Sequence, residues 1–238
     1  VITDGVLRSS DAGYYAIGFR ADGTAVLGKP GVKVSVDLGY AVDDGSGSPV
    51  ELIRPVIAVN KARTNSGVFL YTYDFNAKHT TGTTEAGVNV VCTVEQGQLA
   101  IGSTVTARVE RVEETTVTAI QPDQIVLSAN ANADAYYTNA LRNMSAGSEV
   151  TLTVSANAGW DDVEYAVGAL YCLAENGAVA SGLAAGVNPR TAVGQKADGT
   201  LVFYTIDGRR SGYSIGATMT QIAQRMVELG CVTALCLD

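Results

Sequence analysis

The chain has 238 residues, of which 47% are hydrophobic and 17% charged, and its formal net charge at pH 7 is −8. This composition excludes a disordered chain, and the acidic charge makes nucleic acid and anionic membrane surfaces unsuitable partners. No apolar run reaches the roughly 18 residues that span a membrane, so we expect no membrane insertion. The 26 glycines and five prolines predict many tight turns and therefore a β-rich architecture.

Two segments of similar sequence lie near the two ends of the chain. Residues 16–26 and 192–202 each place Ala-Asp-Gly-Thr between two short apolar runs. An Asp-Gly pair between such runs is a strong signal for a β-hairpin. We therefore predict a hairpin at each end, and the similarity is equally compatible with a duplication or with two independent hairpins.

The sequence predicts mainly β-strands in the region between these hairpins. Alternating or continuous apolar runs predict strands at residues 32–38, 52–59, 68–73, 88–94, 104–112, 125–127 and 149–155. Pro55 indicates an edge or a bulge in the second of these. A helix is predicted at residues 131–144. Because residues 95–155 carry no catalytic motif, we interpret them as a β-rich subdomain within a single domain covering residues 1–238.

The sequence contains little evidence for a metal site or for a disulfide. Asp43 and Asp44 lie in a Gly- and Ser-rich loop that is typical of a solvated turn but could also hold a divalent cation such as calcium. The four cysteines lack metal-ligand spacing, which favours buried apolar residues and leaves a disulfide open.

Polar residues in the last fifty positions follow the ends of predicted strands. The run at residues 201–206 ends in Asp207-Gly208-Arg209. A helix is predicted at residues 218–229, where Thr218 and Gln221 fit a capping box. A buried-type strand at residues 231–237 then leads into Asp238. Strand ends of this kind are where α/β-type folds usually build a site.

This order of motifs resembles the phosphodiester glycosidase family, to which the lysosomal uncovering enzyme, N-acetylglucosamine-1-phosphodiester α-N-acetylglucosaminidase, and many bacterial proteins belong. The matching segments are 189–194, 207–209, 219–229 and 235–238, with weaker matches at 4–8, 16–24, 80–83 and 87–91. The resemblance implies an α+β fold, namely a β-rich mixed sheet with few helices and an inserted β-rich subdomain. Family members also have an Asn-Gly-rich segment before the first match and a Gly-rich one after the last. We therefore expect this chain to be trimmed at both ends of the domain.

The resemblance implies two catalytic carboxylates, Asp207 and Asp238. Both follow apolar strands, and adjacent strands lie about 4.8 Å apart. Two strand-end carboxylates can therefore reach the separations of glycosidases, about 5 Å in retaining and 6.5–9.5 Å in inverting enzymes. A turn-forming role is the alternative for each aspartate.

A second group of residues is predicted to bind the sugar or phosphate of the substrate. A guanidinium binds phosphate bidentately, which suits Arg190 and Arg209. The remaining candidates are Thr191, Thr81, Thr83 and His79. His79 is the only histidine of the chain and lies with Thr81 and Thr83 in a Thr-rich loop at residues 78–85.

The function implied by the family is hydrolysis of a sugar-1-phosphodiester, with a carbohydrate-phosphate substrate from a cell-wall or exopolysaccharide polymer. The implied location is secreted or associated with the cell envelope. The alternatives are a non-catalytic glycan-binding module of the same fold and a calcium-stabilised structural domain.

Overall fold

The computed structural model describes residues 1–11, 13–43, 45 and 47–237. In chain order the strands are β1 (Ile2–Thr3), β2 (Val6–Leu7), β3 (Ser10–Asp11), β4 (Tyr15–Arg20), β5 (Ala25–Gly28), β6 (Lys33–Asp43), β7 (Pro49–Val59), β8 (Val68–Thr72), β9 (Gly87–Gln96), β10 (Thr104–Thr115), β11 (Gln124–Asn130), β12 (Glu149–Ser155), β13 (Val163–Ala169), β14 (Tyr171–Glu175), β15 (Ala178–Val179), β16 (Arg190–Lys196), β17 (Leu201–Ile206) and β18 (Cys231–Cys236). The helices are α1 (Ala135–Arg142), α2 (Met219–Glu228) and a short 3-10 helix (Tyr73–Phe75).

The chain divides into two compact units, and the unit that contains both chain ends is layered. This layered unit consists of Val1–Asp4, Gly13–Gly31 and the residues from Asn157 onward. One of its sheets has the order β1-β13-β4-β5, and the other has the order β15-β14-β18-β16-β17. Helix α2 packs on the second sheet.

Alternation along β16 and β18 explains the layers. Ala192 and Cys236 point to one face and pack with Met226 of α2. Val193 and Leu235 point to the other face and pack among apolar residues of the first sheet. Because successive side chains of a strand point to opposite faces, a sheet covered on both sides needs such continuously apolar strands.

The two predicted hairpins are present and use the same turn. Thr24 donates its backbone N–H to Asp22 Oδ1 at 2.9 Å, and Thr200 donates to Asp198 Oδ1 at the same distance. Hydrogen bonds from Thr24 lower the pKa of Asp22, and those from Thr200 lower the pKa of Asp198. The similarity of sequence thus extends to the hydrogen bonds of the turn.

The second unit is a β-barrel formed by Val32–Ala156 together with a short segment from Gly5. Seven strands close in the order β7-β6-β12-β10-β9-β11-β8, with a parallel β7–β8 pair joining the ends and antiparallel pairs elsewhere. Strand β3 pairs with β7. Side chains of β6, β9, β11 and β12 are buried inside this unit, and α1 contacts β9 and β11.

The observed elements confirm the predicted fold class. The structure is β-rich with two α-helices among its described residues, and the barrel is inserted in the sequence of the layered unit. Helix α2 begins with the predicted capping box of Thr218 and Gln221. The predicted first helix is shorter than expected, because Asp134 caps it and it begins only at Ala135.

Residues 95–155 contribute β10, β11 and β12 to a barrel that begins much earlier, at β6. The proposal of a single domain over residues 1–238 stays a prediction. No disulfide joins the four cysteines, all of which the structure describes. Burial raises the pKa of Cys92 to about 12, as expected for an inert core thiol. Neither helix of the described chain has the length and apolar character needed to cross a membrane.

Candidate active site

Asp207 lies at the end of β17 with its side chain exposed. Its carboxylate accepts a hydrogen bond of 3.0 Å from the hydroxyl of Tyr213. Its backbone carbonyl accepts another, of 2.5 Å, from Ser214 Oγ. The hydrogen bond to Asp207, together with the negative charge there, raises the pKa of Tyr213. Asp207 is therefore fixed by the loop that follows it.

This loop, residues 207–217, is closed by backbone pairing. Arg210 and Ser214 exchange backbone hydrogen bonds of 2.9 Å. Asn188 and Ala217 do the same at 3.2 and 3.0 Å. The loop consequently returns to the segment that leads into β16.

Gly208 makes this return possible. A Cβ atom at this position would lie 2.7 Å from the backbone nitrogen of Pro189 and 3.0 Å from Cα of Gly216. The first distance is shorter than real Cβ contacts, and the second is tighter than most of them. The close approach at Gly208 is therefore between backbone segments of the protein itself.

Arg190 is the first residue of β16 and pairs in register with Ile206, the last residue of β17. Its side chain is partly buried, and Nη2 donates weakly to the carbonyl of Gly186 at 3.4 Å. Its Nε is buried without an acceptor among the described residues. Thr191 follows, and its carbonyl accepts the backbone N–H of Leu237 at 2.9 Å.

Arg209 adopts a left-handed backbone conformation with φ of +57°. Its guanidinium donates from Nη2 to Asn188 Oδ1 at 3.0 Å, so within the described chain its contact is with an amide and not with Asp207. Neither Arg190 nor Arg209 forms an ion pair with any described carboxylate. Asp238, the second predicted carboxylate, lies outside the described residues.

The structure therefore brings Asp207, Arg190, Thr191 and Arg209 to the end of the sheet where β16 begins and β17 ends. Tyr213 and Ser214 also lie there, although the sequence did not predict a role for either of them. The available signal was the Ser-Gly-Tyr-Ser run that follows Arg209-Arg210, since Gly212 in such a run marks a tight turn.

The remaining predicted residues, Thr81, Thr83 and His79, belong to the barrel unit. Thr81 is buried, and its hydroxyl accepts the backbone N–H of Thr118 at 3.1 Å and lies 3.0 Å from Thr83 Oγ1. Thr83 Oγ1 donates to the carbonyl of Thr116. Both threonine hydroxyl protons are thus used within the protein, which leaves lone pairs to accept from a ligand.

Both the ring and the backbone of His79 contact other residues of the barrel unit. Its ring stacks on Tyr73 with centroids 3.6 Å apart and planes 3° apart, and Nδ1 lies 3.0 Å from the Tyr73 carbonyl. Its backbone carbonyl accepts from Ile120 at 2.8 Å. These contacts stabilise the loop, and substrate binding by His79 stays a prediction.

A cavity of about 370 Å³ opens beside the Thr-rich loop of the barrel unit. Its walls come from four parts of this unit: Ala62, Arg63, Thr64 and Asn65; Phe75; Thr81, Gly82, Thr83, Thr84 and Glu85; and Asn130. Of these only Thr81 and Thr83 were predicted from the sequence, because Arg63, Glu85 and Asn130 lie far apart along it and share no motif.

Arg63 is anchored at this cavity by neutral acceptors. Nη1 donates to Ser128 Oγ at 2.7 Å and to Asn89 Oδ1 at 3.3 Å, and Nη2 donates to the carbonyl of Glu85. Burial lowers the pKa of Arg63, and the charge of Glu85 acts in the opposite direction. Asn89 and Ser128 are both fully buried, so Arg63 ties the Thr-rich loop to the barrel core.

No group of three or more His, Cys, Asp and Glu side chains that could hold a metal ion occurs in the described ranges. Asp44, half of the predicted calcium pair, is not in those ranges. The divalent cation therefore stays a prediction.

Comparison with known proteins decides the family. The family model for phosphodiester glycosidases matches residues 31–238. The chain belongs to the phosphodiester glycosidase family. The sequence matches no curated protein.

Solved structures share the fold. A hypothetical protein from Synechocystis aligns with a TM-score of 0.68 and 16% identity, covering 100% of this chain and 42% of its own. A protein of Burkholderia pseudomallei K96243, provisionally named an exported protein, aligns with a TM-score of 0.66 and 18% identity, covering 100% of this chain and 54% of its own. This chain therefore spans less than two thirds of either protein. The catalytic domain of zebrafish N-acetylglucosamine-1-phosphodiester alpha-N-acetylglucosaminidase aligns at a TM-score of only 0.28, with 11% identity over 100% of this chain and 74% of that one, which adds nothing to the argument.

Proposed function

We propose that this phosphodiester glycosidase hydrolyses a sugar-1-phosphodiester, releasing the sugar and leaving a phosphomonoester on the acceptor. The observation that carries the proposal is the exposed carboxylate of Asp207, held by Tyr213 at a sheet end that also bears Arg190 and Arg209. Membership of the family supports a glycosidase, and the two arginines without described ion-pair partners suit a phosphate.

In the proposed reaction, the bond between the anomeric carbon and the phosphate oxygen breaks, and its electron pair leaves with the phosphate. Water supplies a hydroxyl to the anomeric carbon and gives up a proton to a carboxylate. Because a phosphomonoester is a stable anion, its oxygen needs no protonation as it leaves. The reaction therefore requires a base or nucleophile more than it requires a general acid.

We assign the base or nucleophile role to Asp207 and propose Asp238, the residue after Leu237 in the sequence, as the second carboxylate. Arg190 and Arg209 would bind the phosphate oxygens, and Thr191 would bind the phosphate or the sugar. Thr81, Thr83 and His79 of the barrel unit are kept in the proposal as candidates for binding the sugar or the phosphate. The proposed reaction assigns no step to a divalent cation such as calcium, whose binding stays a prediction.

The proposed substrate is a wall or exopolysaccharide polymer with sugar-phosphate links, and the proposed location is outside the cytoplasmic membrane. The provisional name of the Burkholderia protein agrees with this location.

The test is turnover of a synthetic N-acetylglucosamine-1-phosphodiester by the full-length protein. We expect Asp207→Asn to abolish turnover and Arg190→Ala to reduce it strongly, with Lys33→Ala as a control for loss of an exposed cation in the barrel unit. Unchanged turnover in both variants would show that the assignment is wrong.

A further inference from the structure

The cavity beside the Thr-rich loop has the size and chemistry of a ligand site. Its volume of about 370 Å³ falls in the range of roughly 300–1,000 Å³ that is typical of small-molecule pockets. All of its walls belong to the barrel unit, so its shape is a property of that unit alone.

The walls carry groups that both donate and accept hydrogen bonds. The side chains with such groups are Thr64, Thr84, Asn65 and Asn130, and Thr83 can only accept, because its hydroxyl donates to the Thr116 carbonyl. Asn65 and Thr84 are exposed, and no described residue hydrogen-bonds to their side chains. Phe75 adds an aromatic ring. Hydroxyls and amides beside an apolar ring match a sugar, which presents hydroxyl groups at its edge and C–H groups on its face.

Glu85 is held in place with acceptor capacity to spare. The buried amide of Asn130 donates from Nδ2 to Glu85 Oε2 at 2.6 Å. The second oxygen, Oε1, has no donor among the described residues. A carboxylate oriented in this way can accept hydrogen bonds from two neighbouring hydroxyl groups of a sugar ring.

The charges at the cavity argue against an anion. Arg63 contributes one positive charge, but its two Nη atoms already donate to Ser128, Asn89 and the Glu85 carbonyl, and its Nε is buried without an acceptor among the described residues. Glu85 contributes one negative charge at the same cavity. An anionic ligand would be attracted by the one and repelled by the other, whereas an uncharged sugar would meet a wall with no net charge.

We propose that this cavity binds an uncharged sugar unit. Glu85 accepts hydrogen bonds from its hydroxyl groups, Thr84 and Asn65 donate to and accept from them, and Phe75 contacts its ring. Thr81 and Thr83, which are also candidates in the proposed function, line this cavity, but the inference rests on the other lining residues and not on Asp207. Sugar binding here would persist even if the proposed hydrolysis did not occur.

Saturation-transfer NMR on the full chain tests the proposal. The probes are methyl glycosides of glucose, galactose, mannose and N-acetylglucosamine, with inorganic phosphate as an anionic competitor. The expected result is transfer to at least one glycoside. Kd should rise about tenfold or more in Glu85→Gln, as for loss of a charge-assisted hydrogen bond, and about two- to tenfold in Thr84→Val, as for loss of a neutral one.

Three controls keep the result interpretable. Glu51→Gln and Thr104→Val remove matched exposed side chains elsewhere in the barrel and should leave Kd unchanged. Asp207→Asn should also leave it unchanged while it abolishes any turnover, which separates this site from the proposed function. Unchanged thermal midpoints establish that each variant is folded.

The proposal would be overturned by any of three results. These are an absence of transfer to every glycoside, equal Kd values in the wild type and in both cavity variants, and displacement of the glycoside by inorganic phosphate.

Discussion

The hydroxyl of Tyr213 donates a 3.0 Å hydrogen bond to Oδ2 of Asp207, six positions earlier in the chain. The bond exists because Arg210 and Ser214 close a tight turn that directs Tyr213 back towards the end of β17. Tyr213 is 67% exposed, and the centroid of its ring lies 4.9 Å from Cζ of Arg210. This hydrogen bond thus orients the carboxylate of an exposed strand-end aspartate.

The titration of Tyr213 should report this contact. Its phenol has a raised pKa because ionisation would break the hydrogen bond to Asp207 and place two negative charges together. Asp207→Asn should therefore lower the pKa of Tyr213 towards the ordinary tyrosine value of about 10. NMR of ¹³C-labelled tyrosine measures the shift, and Asp161→Asn, at another exposed aspartate of the layered unit, should leave it unaltered.

Removing the hydroxyl should impair catalysis more than binding. We expect Tyr213→Phe to lower kcat for a sugar-1-phosphodiester about tenfold, because a hydrogen bond to a charged group typically contributes about 1.5–3 kcal/mol. KM should change little, since in this account Tyr213 orients Asp207 and does not bind the phosphate. Tyr14→Phe, at a tyrosine of the same unit that is 50% exposed, is the control. Equal kcat values in the two variants would contradict the positioning role.

Gly208→Ala should destabilise the layered unit. The new methyl group would overlap Pro189 and make a tight contact with Gly216, and forcing a methyl group into packed structure typically costs about 1–3 kcal/mol. Gly168→Ala is the matched control, because its Cβ would meet only the Tyr15 carbonyl at an ordinary 3.9 Å and should change the free energy of unfolding by less than about 0.5 kcal/mol. Urea denaturation measures the free energy of unfolding of both variants. An equally small effect of the two substitutions would show that the loop moves to accommodate the methyl group at position 208.

The barrel unit should lose stability in acid partly through Glu110. Hydrogen bonds from Thr93 and from Gln124, the latter at 2.9 Å to each oxygen, lower the pKa of Glu110 in the folded protein. A folded pKa below the unfolded value of about 4.3 gives stability that is present above that pH and is lost as the pH falls through the folded pKa.

Glu110→Gln should accordingly reduce the loss of unfolding free energy between neutral pH and pH of about 3. Glu51→Gln, which changes an exposed glutamate of the same barrel, should not. Denaturant midpoints of the three proteins across this range measure the difference, and parallel curves for all three would exclude the contribution of Glu110.

Local patterns in the sequence predicted the parts of the fold that local interactions determine. The Asp-Gly turns after residues 21 and 197 and the capping box of Thr218 and Gln221 are each formed by residues within a few positions of one another. The strand at Glu149–Ser155 was predicted with its observed bounds, because Val150, Leu152 and Val154 alternate with exposed or partly buried neighbours.

Closure of the barrel could not be predicted from local patterns in the sequence. It depends on the pairing of β6 with β12, in which Val34 lies opposite Val154 and Val36 opposite Leu152, and no local pattern specifies a pairing of strands so far apart in the sequence. The same limit applies to the cavity, where Arg63 meets Ser128 across 65 positions and Asn130 meets Glu85 across 45. At the candidate active site, the strand-end position of Asp207 could be predicted, but its partner Tyr213 depends on how the loop folds.

The central claim is that water attacks the sugar carbon and not the phosphorus, with Asp207 required. The most direct measurement is ³¹P NMR of N-acetylglucosamine-1-phosphodiester hydrolysis by the full-length protein in H₂¹⁸O. This account predicts a phosphomonoester without ¹⁸O and a labelled sugar, formed by the wild type and by Asp161→Asn but not by Asp207→Asn. Label in the phosphate, or undiminished turnover by Asp207→Asn, would contradict it.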